Sequence, residues 1–345
     1  MKNLFTPYEF KGLQLKNRVV MPPMCQYSVT NKDGIATDWH YNHYVSRAVG
    51  GTGLIIIEMA DVEPDGRITD YDLGLWSDEQ IPALKRIVDA IHAHGAKVGI
   101  QVAHAGRKAE DAPVPVSSSA IPFDADSKTP RALTTAEVKE MVGKFGKAVE
   151  RAVQAGFDVI ELHGAHGYLI HQFHSPLTNQ RTDEYGQDLN LFGKEVIAAA
   201  KSVMPADMPL IMRISAQEYV EGGYGIAESL EISRAYKEAG ADIFHISAGG
   251  EGPIAAAGKP GTHAAYQVPL ARSIKQELNV PVIAVGRLDE AVLADAVIGN
   301  EEADLIAVGR GMLRNPYWTL EAGVQLGKDA GVPKQYTFGF PRARA

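Results

Sequence analysis

Short apolar runs recur along the chain, each followed by a glycine-rich or polar break and then by a longer stretch with apolar positions at helical spacing. Eight runs predict strands: residues 18–21, 53–59, 97–102, 158–162, 210–214, 242–246, 282–285 and 304–308. Helical period follows at 39–49, 79–94, 135–155, 192–203, 226–239, 267–278, 290–298 and 316–327. This alternation predicts parallel strands joined by right-handed crossovers. Eight such units in 345 residues predict an α/β fold of the (β/α)8 TIM barrel type. A doubly wound sheet is the competing arrangement, but no Gly-x-Gly-x-x-Gly turn opens a helix after the first strand. Residues 1–17 are expected to form a hairpin that closes the bottom of the barrel. The longest irregular stretch begins at Gly106 and ends near Thr134; it holds four prolines and Ser117-Ser118-Ser119, and is expected to be an ordered lid-like loop at the mouth.

Composition narrows the rest. With 45% hydrophobic residues the chain can bury a large core, and no linker divides it, so residues 1–345 are expected to form one domain. Lysine and arginine total 34 against 42 acidic residues, a formal charge of −8 without long runs of one sign, which argues against a nucleic-acid partner. No stretch approaches the roughly 20 apolar residues that a membrane helix needs. The opening Met1-Lys2-Asn3-Leu4-Phe5-Thr6-Pro7 carries no apolar leader core, so a soluble, cytoplasmic protein is expected. The single cysteine, Cys25, cannot form an internal disulfide, which fits a reducing compartment.

Residues just past the strands of a barrel converge on one face, where such folds do chemistry. Here that face collects Pro22-Pro23-Met24-Cys25 after the first strand, Ala60 after the second, and Gln101 with His104-Ala105-Gly106-Arg107-Lys108 around the third. The fourth is followed by His163, His166 and Tyr168, two imidazoles and a phenol within six residues, with Gly164 and Gly167 breaking the pattern so that they sit at a loop mouth. Arg213 and Ser215 belong to the fifth strand, and Ser247-Ala248-Gly249-Gly250, Gly286-Arg287 and Gly309-Arg310 follow the last three. Glycines allow close backbone approach and arginines match phosphate oxygens bidentately, so the last three loops read as a phosphate pocket. Other readings stay open. The two histidines suit a satisfied structural pair, Arg213 an internal ion pair, and Cys25 a nucleophile, a metal ligand or simple packing. A metal-dependent hydrolase would need further ligands at strand ends that instead offer Cys25, Arg213 and Arg310; no metal is expected.

Several motifs together resemble a known family. They include Leu15-Lys16-Asn17-Arg18, Pro23-Met24-Cys25-Gln26-Tyr27, Gly74-Leu75-Trp76-Ser77-Asp78, the stretch 101–108, Ala155-Gly156-Phe157-Asp158, the stretch 163–169, Ser175-Pro176-Leu177-Thr178-Asn179, the stretch 181–186 and Gly309-Arg310. The chain resembles the Old Yellow Enzyme family of flavin-dependent ene reductases, in its bacterial thermophilic-like group that includes xenobiotic and chromate reductases. The resemblance implies a TIM barrel binding FMN non-covalently, reduced by NADPH or NADH and reoxidised by a small-molecule activated alkene. It implies that Pro23, Met24 and Cys25 meet the flavin ring, with Cys25 tuning its potential, and that Ala60 and Gln101 meet its polar edge. Arg213 would face the N1/C2 carbonyl region, and Ala248, Gly249, Gly286, Arg287, Gly309 and Arg310 the ribityl phosphate. His163 and His166 would hold the substrate oxygen as hydride passes from flavin N5 to the β-carbon, Tyr168 would protonate the α-carbon, and Tyr27 would be a further substrate contact. A non-catalytic flavin carrier, the competing reading, has no need of His163, His166 and Tyr168.

Two departures from the family pattern stand out. After Gly186 the family continues with Gly, Ser and an Asn-Arg pair, whereas here Gln187-Asp188-Leu189-Asn190 follows and the segment is shorter. In the resembling group a Gln-Tyr-x-Arg-Gly-aromatic tail carries its arginine into a neighbouring subunit's site. This chain reads Gln335-Tyr336-Thr337-Phe338-Gly339-Phe340, with Arg342 and Arg344 beyond. A homodimer or homotetramer with Phe338 and Phe340 lining the neighbour's substrate pocket is the expectation.

Overall fold

Eight parallel strands pair in chain order, and the eighth pairs back onto the first. The structure, a computed structural model, describes residues 2–252 and 263–340. The strands are β1 (Val19–Met21), β2 (Leu54–Asp61), β3 (Lys97–Ala103), β4 (Val159–Gly164), β5 (Leu210–Ser215), β6 (Ile243–Ser247), β7 (Val282–Ala284) and β8 (Leu305–Ala307). Closure runs through Ile306 opposite Val19 and Ala307 opposite Val20. The crossover helices are α1 (Asp38–Val49), α2 (Ile81–Ala93), α3 (Thr135–Ala155), α4 (Leu191–Val203), α5 (Ile226–Ala239), α6 (Val268–Leu278), α7 (Ala291–Gly299) and α8 (Trp318–Leu326). The TIM barrel expected from the alternation is the observed fold, with element ends displaced by a residue or two. The open doubly wound sheet is excluded by the β8–β1 pairing.

Both faces of these strands are covered, which is why their sequences read as continuous apolar runs. In β2 every residue is buried, yet the faces differ: Leu54 and Ile56 join the inner core with Ile211, Ile243 and Ile283, while Ile55 and Ile57 pack outward against the helices. A bulge between Ile57 and Met59 then shifts the register. The N-terminal hairpin pairs Tyr8–Phe10 with Leu13–Leu15 and sends Tyr8, Leu13 and Leu15 into the inner core, closing the bottom as expected.

Helix α3 illustrates how local signals set an element. Thr134 caps its start, accepting from the Glu137 N–H while the Glu137 carboxylate accepts from the Thr134 N–H at 2.8 Å, and Gly156 ends it at φ 91°. The stretch from Gly106 to Thr134 is ordered. Val116–Ser117 pairs with Arg131–Ala132, and Ser118 Oγ donates to the carbonyls of Gln172 and Thr178. Short helices at Leu169–His174, Glu184–Gln187 and Arg310–Arg314 lie between the longer elements; they are too brief to show a period in sequence.

The bottom of the barrel carries a repeated clamp. Asp158, Asp242 and Asp304 stand just before β4, β6 and β8. Their carboxylates accept the N–H groups of Val98 at 2.9 Å, Leu210 at 2.9 Å and Val282 at 3.0 Å on the preceding strands. Lys97, Lys201 and Lys275 pair with the same three carboxylates. Replacing Asp158 by Ala should leave the Val98 N–H without its partner and lower stability by about 1–3 kcal/mol. A urea midpoint that falls at constant m would show this; an unchanged midpoint would show that the clamp contributes nothing.

Candidate active site

At the opposite end, the strand ends surround a cavity of about 300 Å³. Pro23 and Met24 border it from the loop after β1, Arg213 from β5, Ala248 after β6, and Gly286, Arg287, Gly309 and Arg310 after β7 and β8. His166 reaches the same space from the loop after β4. Nine of the residues expected at the flavin and substrate sites therefore meet in one cavity. Gly249 does not line it: its N–H donates to Gln217 O at 2.7 Å and its carbonyl accepts from Ser215 Oγ at 2.8 Å, so it braces the β6 loop from behind.

Beside the cavity a second group forms. His163 lies 5.2 Å from His166 and 4.8 Å from Tyr168 between ring centroids, both edge-on. Tyr168 and Cys25 pack against Met59, Ala103 and Ala105. Tyr27 is half exposed at φ 50° beside Cys25. The Cys25 loop is anchored because Glu58, buried at the β2 bulge, accepts from the Gln26 N–H at 2.8 Å and from the Tyr44 hydroxyl at 2.5 Å. Ala60 turns its methyl into the outer core, which leaves only its backbone for a ligand. Gln101 is buried beneath the cavity, its amide donating to Glu161 at 2.7 Å.

The loop after β4 holds a conformation that its sequence alone does not favour. His166 sits at φ 59° and Gly167 at φ 71°, two successive left-handed residues, and a Cβ on Gly167 would lie 2.2 Å from the Gly250 carbonyl oxygen. Side chains from other elements fix its polar backbone groups. Ser215 Oγ accepts the His166 N–H at 3.0 Å, Lys108 Nζ donates to His166 O at 2.9 Å, His171 Nδ1 accepts the Gly167 N–H at 3.0 Å, and Gln172 donates to Gly167 O at 2.7 Å. Ser215 and Lys108 are visible at strand ends in the sequence but carry no sign of this role. His171 and Gln172 give no signal there at all, because nothing in linear order links them to Gly167.

His171, Glu218 and Glu251 bring ligand-type atoms within 4.8 Å of one another. Since Nδ1 of His171 receives the Gly167 N–H, its Nε2 carries the proton and donates to Glu218 at 3.0 Å, so both ring nitrogens are engaged in supporting the turn and neither offers a free lone pair, while Glu251 pairs with Arg107 at 3.2 Å.

Protonation states follow from burial. Burial pushes His163 and His166 well below the usual imidazole range, reinforced at His163 by His166 and Arg213 and at His166 by Arg213 and Lys108, so both are neutral. The Ala165 N–H donates to His163 Nδ1 at 3.2 Å, which leaves Nε2 as that ring's donor. His166 Nε2 shares a 2.7 Å bond with Ser247 Oγ. Burial, then the neighbouring Cys25 and Tyr27, holds the Tyr168 phenol protonated. The Cys25 thiol is likewise pushed up by burial and Glu58, which disfavours the nucleophile reading. Lys108, lowered to about 8 by burial, stands 5.0 Å over the Tyr168 ring.

Arg213 tests the fit to a flavin. Burial lowers its pKa while Glu161 opposes the shift, and its Nε has no hydrogen-bond partner among the described residues. An unmet guanidinium at a cavity that Arg287 and Arg310 also line, in a protein of net charge −8, suits a group with anionic and carbonyl oxygens. The internal ion pair considered for Arg213 is thus only a longer-range attraction. Phe338 is fully exposed, and its segment packs through Tyr336 against Tyr317 at 5.5 Å, away from this cavity; Arg342 and Arg344 lie outside the described residues.

Replacing His171 by Ala should leave the buried Gly167 N–H and one oxygen of Glu218 without a partner while Tyr224 N–H still holds the other, costing about 2–6 kcal/mol at about 1–3 kcal/mol for each unsatisfied buried group. Urea unfolding measures this, and a loss below about 1 kcal/mol would mean that the turn holds itself.

The profile of the NADH:flavin oxidoreductase / NADH oxidase family matches residues 3–329. A protein named NADPH dehydrogenase from Listeria monocytogenes is 50% identical over 340 residues, covering 98% of this chain and 99% of its own length. Another of that name from Halalkalibacterium halodurans is 48% identical over 337 residues, covering 96% and 97%. Among solved structures, morphinone reductase superposes with a TM-score of 0.79 at 27% identity, over 99% of this chain and 96% of its own. The chain belongs to the NADH:flavin oxidoreductase / NADH oxidase family and is an FMN-dependent oxidoreductase of the Old Yellow Enzyme type.

Proposed function

We propose that the protein reduces the activated C=C bond of α,β-unsaturated aldehydes and ketones, nitroalkenes, maleimides or quinones, with NADPH or NADH as hydride donor. One observation carries this reading. A neutral His163 with Nε2 as its donor stands 4.8 Å from the protonated phenol of Tyr168, beside a cavity that suits FMN. The name NADPH dehydrogenase borne by the relatives, and the structure of morphinone reductase with tetrahydroNAD, support a nicotinamide donor.

FMN, when bound, supplies the hydride chemistry at the alkene β-carbon. The protein supplies the rest. His163 and His166 donate to the carbonyl or nitro oxygen, and stabilise the charge that develops there. Two neutral donors suit this task because they bind the oxygen without losing a proton to it. Tyr168 gives its proton to the α-carbon, a strong developing base, and otherwise keeps it. Arg213, Arg287 and Arg310, with the backbone of Pro23, Met24, Ala248, Gly286 and Gly309, hold the flavin. Cys25 and the backbone of Ala60 meet its ring and edge, and Tyr27 meets the substrate.

The assembly belongs to the same proposal. Phe338 exposes its whole ring, and such a ring is favoured when a second subunit covers it. A homodimer or homotetramer would place Phe338 and Phe340 at the neighbour's substrate pocket.

Purified protein should be yellow, bleach with NADPH under anaerobic conditions and recover its colour with cyclohexenone. His163→Ala and His166→Ala should keep FMN and its reduction while slowing reoxidation by about 100-fold, the scale for losing one such donor. Tyr168→Phe should slow product formation by about 100-fold or more with normal bleaching. Reoxidation rates unchanged across the three variants in stopped flow would remove these roles. For the tail, deletion of residues 336–345 should alter sedimentation and raise the enone KM; if neither moves, the tail is idle.

A further inference from the structure

A polar layer lies beneath the cavity without lining it. Glu161 on β4 and His245 on β6 are fully buried, and Gln101 on β3 nearly so. Strand register places Gln101 opposite Glu161, and Arg213 opposite both His163 and His245. The two oxygens of Glu161 are each taken by an uncharged donor. Oε1 accepts from Gln101 Nε2 at 2.7 Å and Oε2 from His245 Nδ1 at 2.8 Å.

Burial lowers the His245 pKa against the opposing pull of Glu161, so the imidazole does not neutralise the carboxylate. His245 Nε2 has no hydrogen-bond partner among the described residues, which agrees with a neutral ring whose proton is on Nδ1. Accepting from two donors and giving to none, Glu161 is a buried anion. Its effect reaches Arg213, whose guanidinium it stabilises. A buried charge acts at longer range than one in water because the surroundings screen it poorly.

We propose that Glu161 is a positioning residue for the flavin: its carboxylate orients the Gln101 amide and offsets part of the Arg213 charge at the cavity, setting the flavin reduction potential below the value that Arg213 alone would impose. The sign follows from charge. Reduction adds electrons to a group in the cavity; Arg213 favours that and Glu161 opposes it. Offsetting the guanidinium in this way keeps the reduced cofactor a strong donor towards an alkene.

The inference rests on the FMN reading of the cavity, and the test separates the two. Midpoint potentials are measured on holoenzyme by equilibration with reference dyes, and FMN affinity by fluorescence. Glu161→Gln keeps the shape and removes the charge. It should retain FMN and raise the reduced-to-oxidised ratio at a given ambient potential about tenfold, or about 30 mV for a two-electron couple. Glu161→Asp keeps the charge but shortens the reach to Gln101. It should stay within about twofold of the original ratio while binding FMN more weakly. Glu161→Gln holoenzyme with an unchanged ratio overturns the proposal. So does Glu161→Asp with a ratio raised as much as tenfold, and this second variant decides the matter alone if the first does not fold. Unaltered protein that takes up no FMN would instead overturn the reading of the cavity.

Discussion

Closure of the sheet is the constraint on which everything else depends. The pairing of β8 with β1 spans only two residue pairs, Ile306 with Val19 and Ala307 with Val20, yet it converts a row of strand ends into a ring. Arg18 reinforces this seam. Its carbonyl accepts the Ile306 N–H, its guanidinium donates to the Asp304 carbonyl at 2.8 Å and stacks over Tyr8 at 5.1 Å, tying the seam to the hairpin that fills the bottom. Without the ring, Pro23 after β1 and Arg310 after β8 would stand at opposite edges of an open sheet. With it, they border one cavity.

The two ends of the ring solve opposite electrostatic problems. At the bottom, Asp158, Asp242 and Asp304 are satisfied by backbone N–H groups and by lysines, so the charges are spent on holding strands together. At the mouth the balance differs: Arg213 Nε has no hydrogen-bond partner among the described residues, and burial holds both histidines neutral. An unmet buried donor costs free energy until a ligand satisfies it, which is the physical signature of a binding site. The left-handed turn at His166 and Gly167 carries its cost in the backbone conformation instead. It is tolerated because Ser215, Lys108, His171 and Gln172 satisfy its backbone.

Much of the site is legible in linear order because a barrel has a simple rule: the residue after each strand points to the same end. Finding the strand at 158–162 therefore also finds His163, His166 and Tyr168, and the Gly-Arg pairs follow in the same way. The rule fails where position in the chain does not set direction. Ala60 follows the pattern, but the bulge after Ile57 turns its methyl to the outer core. Gly249 lies between cavity residues, yet its hydrogen bonds to Gln217 and Ser215 place it behind the wall. Phe338 stands where the resembling group has its arginine, and among the described residues it is fully exposed.

By itself the sequence determined the fold class, the strand order and the end of the barrel at which the cavity lies. Those depend on hydrophobic period and turn residues, which act over a few neighbours. Tertiary structure decided the states of the reactive groups. That His163 is neutral with its donor on Nε2, that Arg213 keeps an unmet donor, and that Glu161 is a buried anion held by Gln101 and His245 all require knowing which residues are excluded from water together. The physical reason is that protonation and hydrogen-bond satisfaction depend on the local dielectric and on partners up to 84 positions away, as for Glu161 and His245. No window of the sequence carries that information.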